Sequence, residues 1–159
     1  DRAIEKLTNR KTPVTSWFLD LNLVMGYWGK GAKRAYHHTA PVNTLYGLHE
    51  SLVMLSEEGV ENSWSRHQQN HILLRDGLNK LGIDYLVDEA SRLPQLNSVL
   101  IPQDQDDLGV RSSLLKNYNI DIGAGLGPLE GKIWRIGLMG YTSRKDNIEL
   151  LLSALKDTL

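Results

Sequence analysis

The chain has 159 residues, 41% of them hydrophobic, which is enough for one domain with its own core or for a small domain plus part of another. Its 18 basic and 19 acidic residues leave a formal charge of -1, which provides no field for binding nucleic acid or an anionic membrane surface. The absence of cysteine excludes disulfide bonds, thiolate metal sites and a cysteine nucleophile. No apolar run approaches the length of a membrane span. We therefore expect neither nucleic acid nor membrane as a partner.

The first half of the chain is predicted to be mainly helical. Apolar residues at helical spacing predict a helix over residues 16–29, packed on a larger body: Trp17, Leu21, Val24 and Trp28. The turn-rich segment GKGAKRAYHHTAPVN follows, and we expect it to be extended ahead of Pro41. A helix capped by Asn43 or Thr44 should then bury a stripe of leucines: Leu45, Leu48, Leu52 and Leu55. A longer helix is predicted over residues 60–81.

Two histidine pairs invite a metal interpretation. His67 and His71 lie one turn apart on the apolar face of the long helix, but HQQNH lacks the glutamate of the HExxH motif and no third ligand is evident. We interpret them as semi-buried structural residues. His37 and His38 are adjacent in an extended segment, where neighbouring side chains point to opposite faces. The sequence therefore predicts no metal site.

The acidic, glycine-containing break at Gly59 is the predicted boundary between two parts of the chain, residues 1–59 and 60–159. Beyond it, short strands are predicted at residues 83–87, 98–101, 120–122 and 132–139. A helix capped by Asp106 or Asp107 separates the second strand from the third, and a last helix is capped by Thr142 or Ser143. The inward face of that last helix consists of Ile148, Leu151, Leu152 and Leu155. This order predicts an α/β fold with a small, largely antiparallel sheet covered by helices.

Arg135 is the clearest candidate for a functional residue. It lies in the apolar strand IWRIGLM, and burying a guanidinium is costly unless an anion meets it. That anion is either one of the chain's own carboxylates or the carboxylate of a small ligand held by two parallel hydrogen bonds. Gly123, Gly125 and Gly127 favour a ligand, because they let the backbone approach it closely. They do not form a dinucleotide fingerprint, since Pro128 and a strand follow them instead of a helix.

Three sequence blocks, YHHTAPVNTLYGLHESL, GVENSWSRH and GLGPLEGKIWRIGLMG, resemble successive segments of the alanine–glyoxylate and serine–pyruvate aminotransferases. These are class V pyridoxal-phosphate enzymes, and the likeness covers nearly the whole chain in order. It implies the C-terminal portion of a type I pyridoxal-phosphate transferase fold. Residues 1–59 would be the end of the large cofactor-binding domain, including a dimer-interface segment, and residues 60–159 the small C-terminal domain. We accordingly expect a piece of a longer polypeptide.

The resemblance also implies roles for particular residues. Tyr36 and Thr39 match the tyrosine and threonine that hold the cofactor phosphate across a homodimer interface, and Arg135 matches the arginine that receives the substrate carboxylate. The lysine that forms the Schiff base with pyridoxal phosphate should lie before Asp1, so no catalytic residue is expected in this chain. The lysines in segments unlike the family's lysine motif include Lys6, Lys11, Lys33 and Lys132.

The implied activity is transfer of an amino group from alanine or serine to glyoxylate or pyruvate by a homodimer with shared active sites. Serine–glyoxylate and hydroxykynurenine transaminases of the same class are alternatives. A non-catalytic module that binds a small carboxylate at Arg135 is another. The final residues KDTL are not a peroxisomal S-K-L signal, so a cytoplasmic location is expected.

Overall fold

A computed structural model describes residues 2–27 and 35–159 of the chain. It contains two compact units, Asp1–Leu52 and Val53–Leu159, which divide inside the third helix. The described helices of the first unit are α1 (Arg2–Thr8), α2 (Leu21–Val24) and most of α3 (Val42–Glu58). The assignment of these parts to a large and a small domain stays a prediction.

The continuous helix predicted over residues 16–29 is wrong in its described part. A 3₁₀ turn at Trp17–Leu19 precedes the four-residue α2, and a second 3₁₀ turn follows at Met25–Tyr27. Asp20 causes the break, because its backbone is extended and its side chain accepts a hydrogen bond from the Asn22 N–H at 3.0 Å, so that it starts a new helix. Trp28 and Gly29 lie outside the described residues.

The leucine stripe predicted on α3 is present but is not buried. The exposed fractions of its side chains are 50% at Leu45, 54% at Leu48, 55% at Leu52 and 36% at Leu55. The described residues therefore do not cover the apolar face of this helix. No helix of the described ranges has both the length and the apolar character required to cross a bilayer.

The second unit begins with the end of α3 and holds a small sheet and three further helices. Their bounds are α4 (Val60–Lys80), β1 (Leu96–Leu100), α5 (Asp107–Tyr118), β2 (Gly123–Ala124), β3 (Ile133–Gly137) and α6 (Lys145–Thr158). The strand order is β1-β3-β2, and both pairings are antiparallel. The structure thus confirms the predicted small antiparallel sheet with helices.

One face of the sheet packs against the helices. Trp134 and Ile136 of β3 and Val99 of β1 are buried in a single core with apolar residues of α4, α5 and α6. The helical members of this core include Leu74, Leu78, Val110, Leu114, Ile148, Leu151 and Leu155. Because side chains alternate along a strand, the neighbours of Trp134 and Ile136 project from the other face of the sheet.

Two predicted strands differ from the structure. Residues 83–87 contribute a single bridge, Tyr85 to Val99, although the backbone hydrogen bonds Leu86 N–H to Ser98 and Leu100 N–H to Asp84 extend the contact. The strand predicted at residues 120–122 lies instead at Gly123–Ala124. Pairing with β3 decides this position, and the sequence shows only a glycine-rich loop there.

The caps of the last two helices were predicted with mixed success. Asp106 caps α5 as predicted, accepting a hydrogen bond from the Gly109 N–H at 2.7 Å. Helix α6 begins at Lys145 after Arg144, so the caps predicted at Thr142 or Ser143 are wrong. Ser143 is fully buried and its carbonyl binds side chains of α4.

Candidate functional site

Arg135 lies at the middle of β3, the central strand of the sheet. Its neighbours Trp134 and Ile136 are buried against the helices, so its side chain projects from the opposite face, where it is half-buried. Ser98 of β1 and Gly123 of β2 stand opposite it in the two ladders. The cation is therefore set in the centre of a three-stranded surface.

The Arg135 guanidinium packs against β2. Its Nε donates a hydrogen bond to the Ala124 carbonyl at 2.7 Å. A Cβ placed on Gly123 would lie 3.3 Å from Nη2 and 3.4 Å from Nε of Arg135, which is tighter than ordinary contact. Because glycine has no side chain, the guanidinium can pack closely against the backbone of Gly123. The Ala124 carbonyl fixes the position of Nε.

No carboxylate of the described residues lies within ion-pair distance of Arg135. The ion pairs in this part of the chain involve other cations, among them Arg66 with Glu58 and Arg111 with Asp107. Among the described residues, the Ala124 carbonyl is the hydrogen-bond acceptor of the Arg135 side chain. Of the two interpretations of this arginine, the internal ion pair is therefore not observed among the described residues.

Trp134 holds β3 from the core side. The ring is fully buried and its Nε1 donates to Oδ1 of Asp107 at 3.0 Å. The same Oδ1 accepts from Nε of Arg111 at 2.7 Å. The hydrogen bond from Arg111, together with that from Trp134, holds the pKa of the Asp107 carboxyl below its ordinary value. The start of α5 therefore anchors the strand that carries Arg135.

The loop between β2 and β3 depends on Gly125. A Cβ at this position would lie 1.9 Å from the Leu129 carbonyl oxygen, so no other residue fits without moving the backbone. The Gly125 N–H donates to the Ile133 carbonyl at 3.0 Å and closes the turn. This close approach keeps Gly123 and Ala124 beside Arg135.

Arg66 of α4 binds the loop that follows β3. Its Nη1 donates to the carbonyls of Gly140 at 3.0 Å and Ser143 at 2.6 Å. Its Nε and Nη2 donate to the two carboxylate oxygens of Glu58 at 2.5 and 2.8 Å. The Arg66 hydrogen bond lowers the pKa of the Glu58 carboxyl. This guanidinium is satisfied entirely from within the chain.

His67 and Asn70 hold the same loop. The His67 ring accepts from the Gly140 N–H at Nε2, 3.1 Å, and its Nδ1 lies 2.7 Å from the Ser63 carbonyl. Because Nε2 accepts a hydrogen bond, Nδ1 is the ring nitrogen that donates to the Ser63 carbonyl. Asn70 donates to the Ser143 carbonyl at 2.8 Å. His67 is buried by this contact with the loop, consistent with a structural residue.

His71 is also buried, in a second polar contact under the sheet. Its Nδ1 donates to Oδ1 of Asn97 at 2.7 Å, and the Tyr85 hydroxyl donates to the same oxygen at 3.2 Å. Burial raises the pKa of Tyr85 to about 12. His67 and His71 thus point to different partners, and the described residues contain no group of three potential metal ligands.

Tyr36 and Thr39, the candidates for holding the cofactor phosphate, lie in the first unit on a segment with no helix or strand. Tyr36 is 82% exposed, and Thr39 is exposed as well. Neither hydroxyl bonds to another described residue. The Tyr27 hydroxyl fixes the segment between them by donating to the His38 carbonyl and accepting from the His38 N–H. Two available hydroxyl donors suit a phosphate group, so these residues fit the cofactor that the resemblance implies.

The expectation that His37 and His38 point to opposite faces is wrong. The chain bends at this pair, and their Nδ1 atoms lie 2.8 Å apart in a hydrogen bond. Trp17 stacks on His37 at 4.0 Å between ring centroids, and Phe18 packs on His38 at 4.8 Å. The two imidazoles therefore belong to an aromatic cluster around the Tyr36–Thr39 segment.

The predicted site residues fall in different units, Tyr36 and Thr39 in the first and Arg135 in the second. The roles of these three residues stay predictions. Sequence reasoning missed the Ala124 carbonyl, because a backbone acceptor has no side-chain signature. An antiparallel register that sets Gly123 opposite Arg135 is the signal that could have identified it.

Known aminotransferases are similar to this chain along its whole length. The sequence is 42% identical to an alanine–glyoxylate aminotransferase of Callithrix jacchus over 161 residues, covering 100% of this chain and 39% of that protein. The crystal structure of an alanine–glyoxylate aminotransferase from Nostoc sp. matches with a TM-score of 0.91 and 46% identity, over 99% of this chain and 41% of that one. A ureidoglycine–glyoxylate aminotransferase from Bacillus subtilis matches with a TM-score of 0.92 and 36% identity, over 99% and 40%. No protein-family profile matches the chain.

These relatives confirm the resemblance and the fold it implies. The chain spans about two fifths of the length of the relatives it matches. It is therefore homologous, over its whole length, to the C-terminal part of the subunit in the alanine–glyoxylate aminotransferase family.

Proposed function

We propose that the chain is part of a pyridoxal-phosphate-dependent aminotransferase that moves an amino group from a small amino acid to glyoxylate or pyruvate. Arg135 carries this proposal, because its half-buried guanidinium has no carboxylate partner among the described residues. Every amino-acid and keto-acid substrate has a carboxylate that can satisfy such a group by charge-assisted hydrogen bonds. Relatives named alanine–glyoxylate and ureidoglycine–glyoxylate aminotransferases support glyoxylate as one substrate.

The chain's own residues bind and orient. Arg135 holds the substrate carboxylate and so aligns the Cα–H bond for proton removal. Tyr36 and Thr39 donate hydrogen bonds to the cofactor phosphate from the second subunit of a homodimer. When bound, pyridoxal phosphate supplies the electron sink that this chemistry needs.

A module that only binds a small carboxylate would use Arg135 in the same way and would need no cofactor. The exposed hydroxyls of Tyr36 and Thr39 favour the enzyme over this alternative, because they provide donors for a phosphate that a simple carboxylate would not use. The homodimer and a cytoplasmic location stay predictions.

Replacing Arg135 tests the proposal in the complete, cofactor-loaded enzyme. Arg135→Ala should lower kcat/KM for L-alanine with glyoxylate by roughly 30- to 5,000-fold, since a charge-assisted contact of about 2 to 5 kcal/mol is lost. Arg75→Ala is the charge-matched control, because Arg75 pairs with Asp76 and Glu89. A kcat/KM within about threefold of wild type for Arg135→Ala would overturn the assignment.

Tyr36→Phe tests the phosphate role separately. Losing one hydroxyl donor should weaken retention of pyridoxal phosphate, measured from the visible absorption left after dialysis. Tyr141→Phe, a 62% exposed tyrosine of the second unit, is the matched control. Equal retention by both variants would remove Tyr36 from the site.

A further inference from the structure

The Arg135 guanidinium has two edges by which it can bind a carboxylate with two parallel hydrogen bonds. A side-on carboxylate uses Nε and one Nη, whereas an end-on carboxylate uses Nη1 and Nη2. Nε already donates to the Ala124 carbonyl at 2.7 Å, on the neighbouring strand. That carbonyl is a backbone group fixed in the sheet, so the side-on edge is occupied before any ligand arrives.

Gly123 fixes the guanidinium from the same strand. It stands directly opposite Arg135 in the ladder, and an added Cβ would lie 3.3 Å from Nη2 and 3.4 Å from Nε. Its φ is not in the left-handed region, so the backbone itself does not require glycine here. Gly125 differs, because a Cβ there would lie 1.9 Å from a backbone oxygen. Of these two glycines, only the one at 123 is explained by packing on the arginine.

We propose that Gly123 and the Ala124 carbonyl are a positioning pair that presets Arg135 to receive a small carboxylate end-on, through Nη1 and Nη2. This inference rests on the proposed role of Arg135. It adds that β2 selects the end-on orientation of the substrate carboxylate. Residue 123 is therefore required to be glycine for ligand binding and not for folding.

Gly123→Ala in the complete, cofactor-loaded enzyme is the first test. The new methyl group should displace the guanidinium by a few tenths of an ångström and raise both KM for L-alanine and Ki for propionate about 10-fold, with kcat within about threefold. Propionate carries the carboxylate without the amino group and so reports on this contact alone. Ser98→Ala is the matched control, since Ser98 flanks Arg135 from β1 and should change either constant less than threefold.

The second test measures the binding mode in the wild-type enzyme, and a variant is used only to assign a resonance. The Arg135 Nε–H resonance, assigned by its loss in Arg135→Lys, should keep its chemical shift on saturation with propionate, because the hydrogen bond to the Ala124 carbonyl is kept. End-on binding should shift the Nη resonances of the same residue instead. A shift of the Nε–H resonance as large as that of the Nη resonances would show side-on docking, because Nε–H would then donate to the carboxylate instead of the Ala124 carbonyl, and it would overturn the proposal.

The outcomes separate this inference from the proposed function. If Arg135→Ala abolishes propionate binding and Gly123→Ala leaves Ki within twofold of wild type, the positioning role is wrong while the carboxylate site stands. If Arg135→Ala itself leaves Ki unchanged, the proposed function of Arg135 falls and this inference falls with it. A 10-fold rise for Gly123→Ala, with the Nε–H resonance of the wild-type enzyme unshifted by propionate, supports both.

Discussion

Two arginines of the second unit, Arg66 and Arg135, are both half-buried but have opposite surroundings. Arg66 donates to both carboxylate oxygens of Glu58 and to the carbonyls of Gly140 and Ser143. Arg135 donates from Nε to the Ala124 carbonyl, and no other acceptor is recorded for it among the described residues. The Arg66 guanidinium is satisfied by acceptors of the fold itself. Nη1 and Nη2 of Arg135 are available to an anion from outside the fold.

The comparison shows how to separate a structural from a functional arginine. A buried or half-buried guanidinium needs acceptors, and the source of those acceptors defines its role. Arg66 links the end of α3 to the loop after β3, so its removal should cost stability. The Ala124 carbonyl is the one acceptor that Arg135 has among the described residues, so removal of Arg135 should cost binding.

Arg66→Ala should give the largest change in stability. We expect the free energy of unfolding to fall by about 2 kcal/mol, because Glu58 loses its partner and the buried Ser143 loses a charged donor. Urea denaturation followed by circular dichroism measures this. Arg75→Ala, which breaks only ion pairs to the exposed Asp76 and Glu89, should lower the free energy of unfolding much less. Equal losses for the two variants would contradict the structural role of Arg66.

Asn70→Ala should have the next largest effect. Its amide donates to the Ser143 carbonyl and hydroxyl at 2.8 and 3.1 Å, and losing these buried bonds should cost about 1 kcal/mol. Asn79, exposed on the same helix, provides the control variant Asn79→Ala. Thermal unfolding compares the two, and a lower midpoint for Asn79→Ala would show that helix α4 rather than the loop contact sets the stability.

Glu58→Gln should alter the pH dependence of stability. Arg66 lowers the folded-state pKa of Glu58 below its ordinary value of 4.5. The resulting stability is fully present above the unfolded pKa and is lost as pH falls from 4.5 through the lower folded pKa. The variant should therefore show a flatter loss of stability in acid than wild type. A slope equal to that of wild type would contradict the role of Glu58 in this pH dependence.

Arg135→Ala should lower the free energy of unfolding by less than about 1 kcal/mol, because a single hydrogen bond to Ala124 is lost. Its large effect on kcat/KM should thus come without unfolding. A stability loss as large as that of Arg66→Ala would indicate that both arginines are structural, and the comparison would fail.

The sequence predicts that Arg135 needs an anionic partner, but it does not identify the groups that position the guanidinium. A cation within IWRIGLM must meet an anion. Apolar periodicity correctly predicts α4 and α6, the aspartate cap predicts α5, and the order of the elements predicts the antiparallel sheet. Arg66 attracted no prediction, because its acceptors lie 8, 74 and 77 residues away along the chain. Strand β2 was missed for the same reason, since only pairing with β3 makes a strand of two small residues.

The predictions on the first unit failed where local chemistry overrode spacing. Residues 16–27 have helical periodicity, but Asp20 caps a new turn and breaks the helix. The His37–His38 pair was assigned to an extended segment, and a bend brings the two rings together. The leucines of α3 have the right spacing for a buried face, yet spacing cannot tell which residues will cover it.

A crystal structure of the complete subunit with propionate would test the central claim most directly. The account predicts a carboxylate within hydrogen-bond distance of Nη1 and Nη2 of Arg135, with Nε still bound to the Ala124 carbonyl. An aspartate or glutamate of the protein in that place, with propionate bound elsewhere or absent, would contradict it.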